Sequence, residues 1–268
     1  RLMADIAILT EEQYVNAQGG EWYIDQIILE NEILINALKE SGLSAQKVAW
    51  TDKDHDWSQY KAILFREVWD YFHKFEDFCD FLDRIQDHQS VMNSIPQIRW
   101  NMDKHYLNDL KDNGIHIPET YFIEKGDQRS LTDIHNELGW YKTVLKPCVS
   151  GGGRHTYLLD KDTYNEHEDV FRDVIANEAM MLQPFQHQIM TKGEVSHMVF
   201  HGKYTHSVLK KAKSGDYRVQ DDFGGTVHEY IATAEEITFA ESVAAACEPL
   251  PQYARIDVFW DNEDKLTI

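Results

Sequence analysis

Three consecutive glycines constrain this chain more than any other feature. Gly151, Gly152 and Gly153 come shortly after a strand predicted over Thr143 to Leu145, with Lys146-Pro147 between. Flanked by Ser150 and Arg154, they make a loop that exposes backbone N–H groups and admits positive φ, so it can wrap closely round an anion. The spacing is neither G-x-x-x-x-G-K-[ST] nor a G-x-G-x-x-G after the first strand, so neither a P-loop nor a dinucleotide fingerprint is expected. Alone, such a run is better read as a flexible turn. Lys146 at the strand end and Lys104 upstream in W-N-M-D-K alter that reading, because two lysines and a glycine flap can together hold a triphosphate.

Charge narrows the partners. Lys and Arg number 26 against 46 Asp and Glu, a net of −20 over 268 residues. Such a chain has no general attraction to DNA, RNA or anionic lipid, and binds a nucleotide only where basic residues converge locally. A 43% hydrophobic, 12% aromatic composition is that of a globular protein. No apolar run approaches the ~20 residues that span a bilayer. The opening Arg1-Leu2-Met3 has no long apolar region behind it, so no signal peptide is expected. Cys79, Cys148 and Cys247 are far apart and form no C-x-x-C pair. This argues against a zinc site or disulfide framework and for a cytoplasmic protein. Cys148, beside the glycine loop, is read as a small loop residue rather than a reactive thiol.

Periodicity gives the layout. Strands are expected at Ala4–Leu9, Lys47–Trp50 and Ala62–Phe65, and helices at Ile24–Leu38 and Lys74–Arg84, which makes residues 1–92 a small α/β domain. Asn93-Ser94-Ile95-Pro96 reads as a turn at the boundary, and Asn101 as the cap of a helix running through Lys104 to Gly114. Residues 93–268 form the second domain, with a flap subdomain over about 120–190 and a C-terminal subdomain over about 191–268. In the latter, His201-Gly202-Lys203 reads as a hairpin turn. A strand is expected to begin at Lys265, and the natural protein is expected to continue past Ile268.

Further candidates follow the flap. Lys210, Arg218 and Gly224-Gly225 make a cationic, flexible cluster in an acidic chain, and an arginine can clamp phosphoryl oxygens with two hydrogen bonds. Arg255 and Asp257 lie two apart on a strand and so share a face. They are either a structural ion pair or, over a phosphate, an anion clamp and a magnesium ligand. Arg66, Trp69 and Asp70 follow a strand end in the front domain, where they read a small polar substrate or serve interdomain packing. The 13 histidines show no metal-binding spacing, and no G-x-S-x-G is present.

The order of these short motifs is similar to that of the ATP-grasp superfamily. Asp103-Lys104, Leu145-Lys146-Pro147, the glycine run, Leu182-Gln183-Pro184-Phe185, Gly193-Glu194, Asp216-Tyr217-Arg218 and Ala254-Arg255-Ile256-Asp257 succeed one another as in glutathione synthetase, the ribosomal-protein glutamate ligases and D-alanine–D-alanine ligase. Arg66 to Tyr71 and Trp100 to Lys104 resemble markers of a bacterial glutathione-synthetase-like group that includes the D-cycloserine-pathway cyclo-ligase. The resemblance covers nearly the whole chain. It implies an α/β (α+β) ATP-grasp fold with an N-terminal Rossmann-like pre-ATP-grasp domain, and ATP and Mg²⁺ as cofactors.

It also implies roles. Lys104 and Lys146 would contact the α/β-phosphates, and Ser150 with Gly151, Gly152 and Gly153 would close over them. Met181 to Phe185, with Gln183, Pro184 and Phe185, would hold adenine, and Glu194 the ribose. Lys210 and Arg218 would hold the γ-phosphate and acyl phosphate, Arg255 would steady the reacting anion, and Asp257 would bind Mg²⁺. Gly224 and Gly225 with the front domain would complete the acceptor site. The family's other metal ligands lie on the strand starting at Lys265, so here they are expected beyond Ile268. Dimers are common in the family, so a homodimer is one expectation. The activity implied is a carboxylate–amine ligase working through an acyl phosphate on a small amino-acid- or peptide-like substrate. The rivals are a phosphotransferase and a non-catalytic or regulatory ATP-binding protein.

Overall fold

The computed structural model describes residues 3–220 and 224–268. The opening Arg1-Leu2 and the Asp221-Asp222-Phe223 part of the cationic loop lie outside the described residues. The chain divides into two units between Ile98 and Arg99.

The first unit is a parallel sheet with helices in its connections. Its strands are β1 (Ile6–Thr10), β2 (Ala45–Ala49), β3 (Ala62–Glu67) and β4 (Val91–Met92), ordered β2-β1-β3-β4. All three pairings are parallel. β1 is an unbroken buried run, as a strand covered on both faces must be. Helices α1 (Glu12–Val15) and α2 (Trp22–Glu40) follow β1, and α3 (Phe75–Ile85) follows β3. Phe78, Phe81, Leu82 and Ile85 of α3 recur at helical spacing and are all buried. Phe81 meets Trp57 edge-on, and Phe78 meets Trp50 in the same way.

The expected turn at Asn93–Pro96 and the helix capped by Asn101 are both corrected. Helix α4 spans Ile95–Asn101, with Pro96 in its first turn, where the missing N–H costs nothing. Asn101 ends this helix instead of capping the next. The chain then turns, and α5 (Tyr106–Asp112) starts only after Lys104, whose N–H donates to the Cys148 carbonyl at 2.9 Å instead of joining a helix.

The second unit holds two antiparallel sheets. The first contains β5 (Tyr121–Ile123), β6 (Thr143–Pro147), β7 (Tyr157–Leu159) and β8 (Met180–Pro184), in the order β5-β8-β6-β7. Helices α6 (Leu131–Leu138) and α7 (Tyr164–Ile175) pack on it through Ile134, Phe171 and Val174 against Leu145 and Leu182. The Ser130 side chain caps α6, and Gly139 ends it at φ 70°. After α8 (Ile189–Lys192), the second sheet contains β9 (Glu194–Phe200), β10 (Lys203–Lys211), β11 (Thr226–Tyr230), β12 (Tyr253–Trp260) and β13 (Leu266–Thr267), in the order β11-β10-β9-β12-β13. His201 and Gly202 have φ of 47° and 78°, the two positive values that a tight hairpin turn requires. Helix α9 (Ala234–Ala246) covers this sheet, with Ala240, Val243 and Ala244 packed against Val199, Ile256 and Val258. No helix among the described residues is long and apolar enough to cross a membrane.

Candidate active site

A cavity of about 280 Å³ opens between the two sheets of the second unit. One side is built from β6, β8 and the glycine loop, the other from the start of β9, the end of β12 and residues 217–220. It brings together Lys104, Lys146, Ser150, Gly151, Gly152, Gly153, Gln183, Pro184, Phe185, Glu194 and Arg218.

The lysine end is defined by burial. Lys104 Nζ donates to the Ser150 carbonyl at 3.0 Å, which ties it to the loop. Burial, followed by the nearby Lys146 ammonium, pulls Lys104 down to about 8. Burial also lowers Lys146, against the pull of Glu194. Two half-buried ammonium groups, with no carboxylate ion pair among the described residues, form a site suited to an anion. The loop itself is braced: Gly152 and Gly153 hold φ of 57° and 73°, and Arg154 makes bonds of 2.7 and 2.6 Å to both oxygens of Glu178.

The opposite end is apolar and amide-lined. Gln183 Nε2 donates to Thr120 Oγ1 at 2.8 Å. Phe185 is 4% exposed, with Lys142 Nζ 4.4 Å from its ring centroid and Tyr217 edge-on at 6.0 Å. Of the hinge expected over Met181–Phe185, Met181 packs with Leu107 and Cys148 and Leu182 belongs to the sheet core, so only the last three residues line the cavity.

Behind Glu194 lies a charged lattice fixed by strand register. Lys210 stands opposite Glu194, and Asp257 opposite Ser196. Lys210 Nζ is 2.8 Å from Glu194 and 3.8 Å from Asp257. Arg255 donates to both Asp257 oxygens at 2.9 Å, and Ser196 Oγ to one at 2.6 Å. Burial works against the charge on Asp257, but Arg255 and Lys210 hold its carboxyl below the usual range. Burial and then the Asp257 charge raise Glu194, opposed by Lys210. Lys210, Arg255 and Asp257 therefore adjoin the cavity through Glu194 rather than lining it. Arg218 lines it and is held by Asp216 through bonds of 3.1 and 2.8 Å.

The residues expected to read substrate are engaged locally. Arg66 pairs with Glu30 in the first unit. Asp70 accepts from Trp50 Nε1 at 2.8 Å and Lys74 at 2.7 Å. Trp69 is 42% exposed and meets Tyr14 edge-on. A Cβ at Gly225 would sit 2.2 Å from the Val219 carbonyl oxygen, so the close backbone approach itself demands glycine; Gly224 precedes it at φ 82°. Val144, Thr156, Gln186 and Phe259 line the cavity without having been singled out in the sequence. Strand alternation carried two of them: Val144 shares a face with Lys146, and Phe259 with Asp257. Tyr217, which stood in the Asp216-Tyr217-Arg218 motif with no role of its own, lines it too.

Comparison with known proteins gives the architecture a context. Residues 6–93 match the family model for the N-terminal domain of D-cycloserine synthetase DcsG. The cycloserine biosynthesis protein DcsG of Streptomyces lavendulae is 26% identical over 186 residues, covering 67% of this chain and 61% of that protein. The crystal structure of D-cycloserine synthetase DcsG superposes with a TM-score of 0.82 at 22% identity, covering 98% of this chain and 89% of that one. The ATP-grasp ligase PsnB, solved with a precursor peptide and AMPPNP, has a TM-score of 0.60 at 13% identity, covering 100% of this chain and 87% of that one. With a parallel-sheet unit followed in the chain by two antiparallel sheets that close on one cavity, the chain has the ATP-grasp fold.

Proposed function

We propose that the chain is an ATP-dependent carboxylate–amine ligase acting through an acyl phosphate on a small amino-acid- or peptide-like substrate. The observation that carries this reading is the cavity's polarity: two half-buried lysines and a glycine loop at one end, an apolar and amide-lined slot at the other. That is the charge layout of a nucleoside triphosphate. The likeness to DcsG and to PsnB, solved with AMPPNP, supports it.

In this reading Lys104 and Lys146 hold the α/β-phosphates and the Ser150–Gly153 loop covers them, excluding water that would hydrolyse the intermediate. Gln183, Pro184 and Phe185 take the base, and Glu194 the ribose hydroxyls. Asp257, kept ionised and with the Ser196 hydroxyl beside it, presents the hard oxygen donors that suit Mg²⁺. Bound there, the ion would neutralise phosphoryl charge. Lys210, Arg218 and Arg255 steady the anion as the substrate carboxylate attacks the γ-phosphate and ADP leaves. An amine then attacks the acyl phosphate, releasing phosphate. Trp69, Arg66 and Asp70 of the first unit are proposed to read substrate, and the Gly224-Gly225 loop of the second to serve the acceptor.

Calorimetric titration with Mg-ATP, on the protein and on Lys146→Ala, tests the site. Loss of a charged hydrogen bond costs about 1.5–3 kcal/mol, so the variant should bind roughly 10- to 100-fold more weakly. ADP release is then screened with carboxylates and amines. Binding without acceptor-dependent ADP release would instead favour a nucleotide-binding module, and phosphate retained on the product a phosphotransferase.

A further inference from the structure

The turn Asp103-Lys104-His105 carries more than a lysine. Pinned to the Cys148 carbonyl through the Lys104 amide, it sets three unlike donors together. One carboxylate oxygen of Asp103, one ring nitrogen of His105 and Sγ of Cys148 lie within 4.8 Å of one another. The sequence hides this site, because its ligands come from two segments more than forty residues apart and no short spacing motif marks it.

The imidazole is held on every side. Its Nδ1 is 2.6 Å from Asp103 Oδ1, its Nε2 is 2.9 Å from Glu124 Oε1, and its ring stacks on Phe122 with centroids 4.3 Å apart. Between two carboxylates it donates from both nitrogens. Cys148 forms the floor, 2% exposed, packed with Leu107 and Met181. None of the three residues lines the nucleotide cavity.

We propose that Asp103, His105 and Cys148 form a site for a zinc-class divalent cation, which enters in place of the proton now joining Asp103 to His105. Sulfur, imidazole nitrogen and one carboxylate oxygen, with water as a fourth ligand, are a donor set for borderline-soft ions and not for Mg²⁺ or Ca²⁺. Glu124 on the far nitrogen supplies the outer carboxylate that orients a metal-bound histidine. The electrostatics agree. Burial, then Asp103 and Glu124, push the Cys148 thiol up to about 12 against the opposing Lys104 ammonium; of these, the carboxylates favour a cation beside the sulfur. Tetrahedral bonds of about 2.0–2.3 Å set ligand atoms roughly 3.3–3.7 Å apart, so the Asp103–His105 pair opens from its 2.6 Å contact while the Cys148 sulfur, within 4.8 Å of both, closes in. Binding releases the His105 Nδ1 proton and the Cys148 thiol proton, and affinity therefore rises with pH.

The bound ion would join the segment carrying Lys104 to the one that follows Lys146. The proposal does not rest on the ligase reading, and a failed nucleotide titration leaves it intact.

The test uses full-length protein stripped with a chelator, titrated with Cd²⁺ as a spectroscopic stand-in for Zn²⁺. The expected result is a thiolate-to-cadmium charge-transfer band that saturates at stoichiometric metal. Cys148→Ser should abolish the band, and His105→Gln should weaken binding at least roughly tenfold. The Cys79→Ser, Cys247→Ser double variant should keep the band. Circular dichroism establishes that each variant is folded, and His105→Gln carries the test if Cys148→Ser is not. A band that persists in Cys148→Ser, binding unchanged in His105→Gln, or no band at micromolar protein and metal would overturn the proposal.

Discussion

Lys104 sets the pH behaviour expected of the cavity. Burial and then Lys146 bring it from 10.5 to about 8, a cost to its charged form of about 3 kcal/mol. A triphosphate recovers part of that cost by favouring the charged form. Lys104 is protonated below about 8 and neutral above, so ATP affinity should hold between pH 7 and 8 and fall as pH rises from there towards 10.5. The decline for this one group is at most roughly tenfold per pH unit. Lys104→Arg, charged throughout, should flatten its share of the decline; an unchanged pH profile in that variant would remove Lys104 from the phosphate site. Asp257 makes the complementary prediction. Its carboxylate is held by Arg255, Lys210 and Ser196, none of which lines the cavity. Asp257→Asn should therefore still bind ATP but lose roughly a hundredfold or more in ADP formation, the scale seen when charge stabilisation at a reacting centre is removed. Equal losses in binding and turnover would mean that Asp257 only supports the sheet.

At the scale of elements, stability should be most sensitive where a helix end lacks alternatives. The Thr233 side chain accepts from the Glu236 N–H, and the Glu236 carboxylate accepts from the Thr233 N–H, closing a capping box at the start of α9. Glu236 also accepts from Tyr230 Oη at 2.7 Å, which ties α9 to β11. Thr233→Ala should lower unfolding stability by about 1 kcal/mol in denaturant melts, with Thr233→Ser retaining most of it. The same local chemistry decided which elements were legible beforehand. The strand carrying Arg255 and Asp257 and the His201-Gly202 hairpin were readable because alternation and turn residues act within a few positions. The end of α4 and the start of α5 were not. What breaks the helical run is Lys104 bonding to Cys148, a partner more than forty residues away. Helix α6 also escaped notice, although Ser130 and Gly139 bracket it with ordinary caps. The lysines and glycines of the cavity were legible as residue types. The place of Tyr217 in the cavity and the Glu194–Lys210 pairing were not, because strand register and loop path bring them in.

At the scale of the whole molecule, the cavity draws every lining residue from Lys104 to Phe259, all within the second unit. The first unit has its own parallel sheet and its own buried cluster of Trp50, Phe78 and Phe81. Opening free energies differ between such units, and a ligand raises only those of the elements it stabilises. Mg-ATP without other substrates should therefore slow amide exchange at residues 146–154, 183–186 and 217–220. Exchange in β1 and β3 should be left unchanged. Hydrogen-exchange mass spectrometry reads both regions in one experiment. Protection confined to β1 and β3 would move the nucleotide to the first unit and sink the assignment of the lysine-lined cavity. Protection of the second unit alone would leave the parallel sheet as the part to be probed with amine and carboxylate substrates, through Trp69→Ala and the KM it changes.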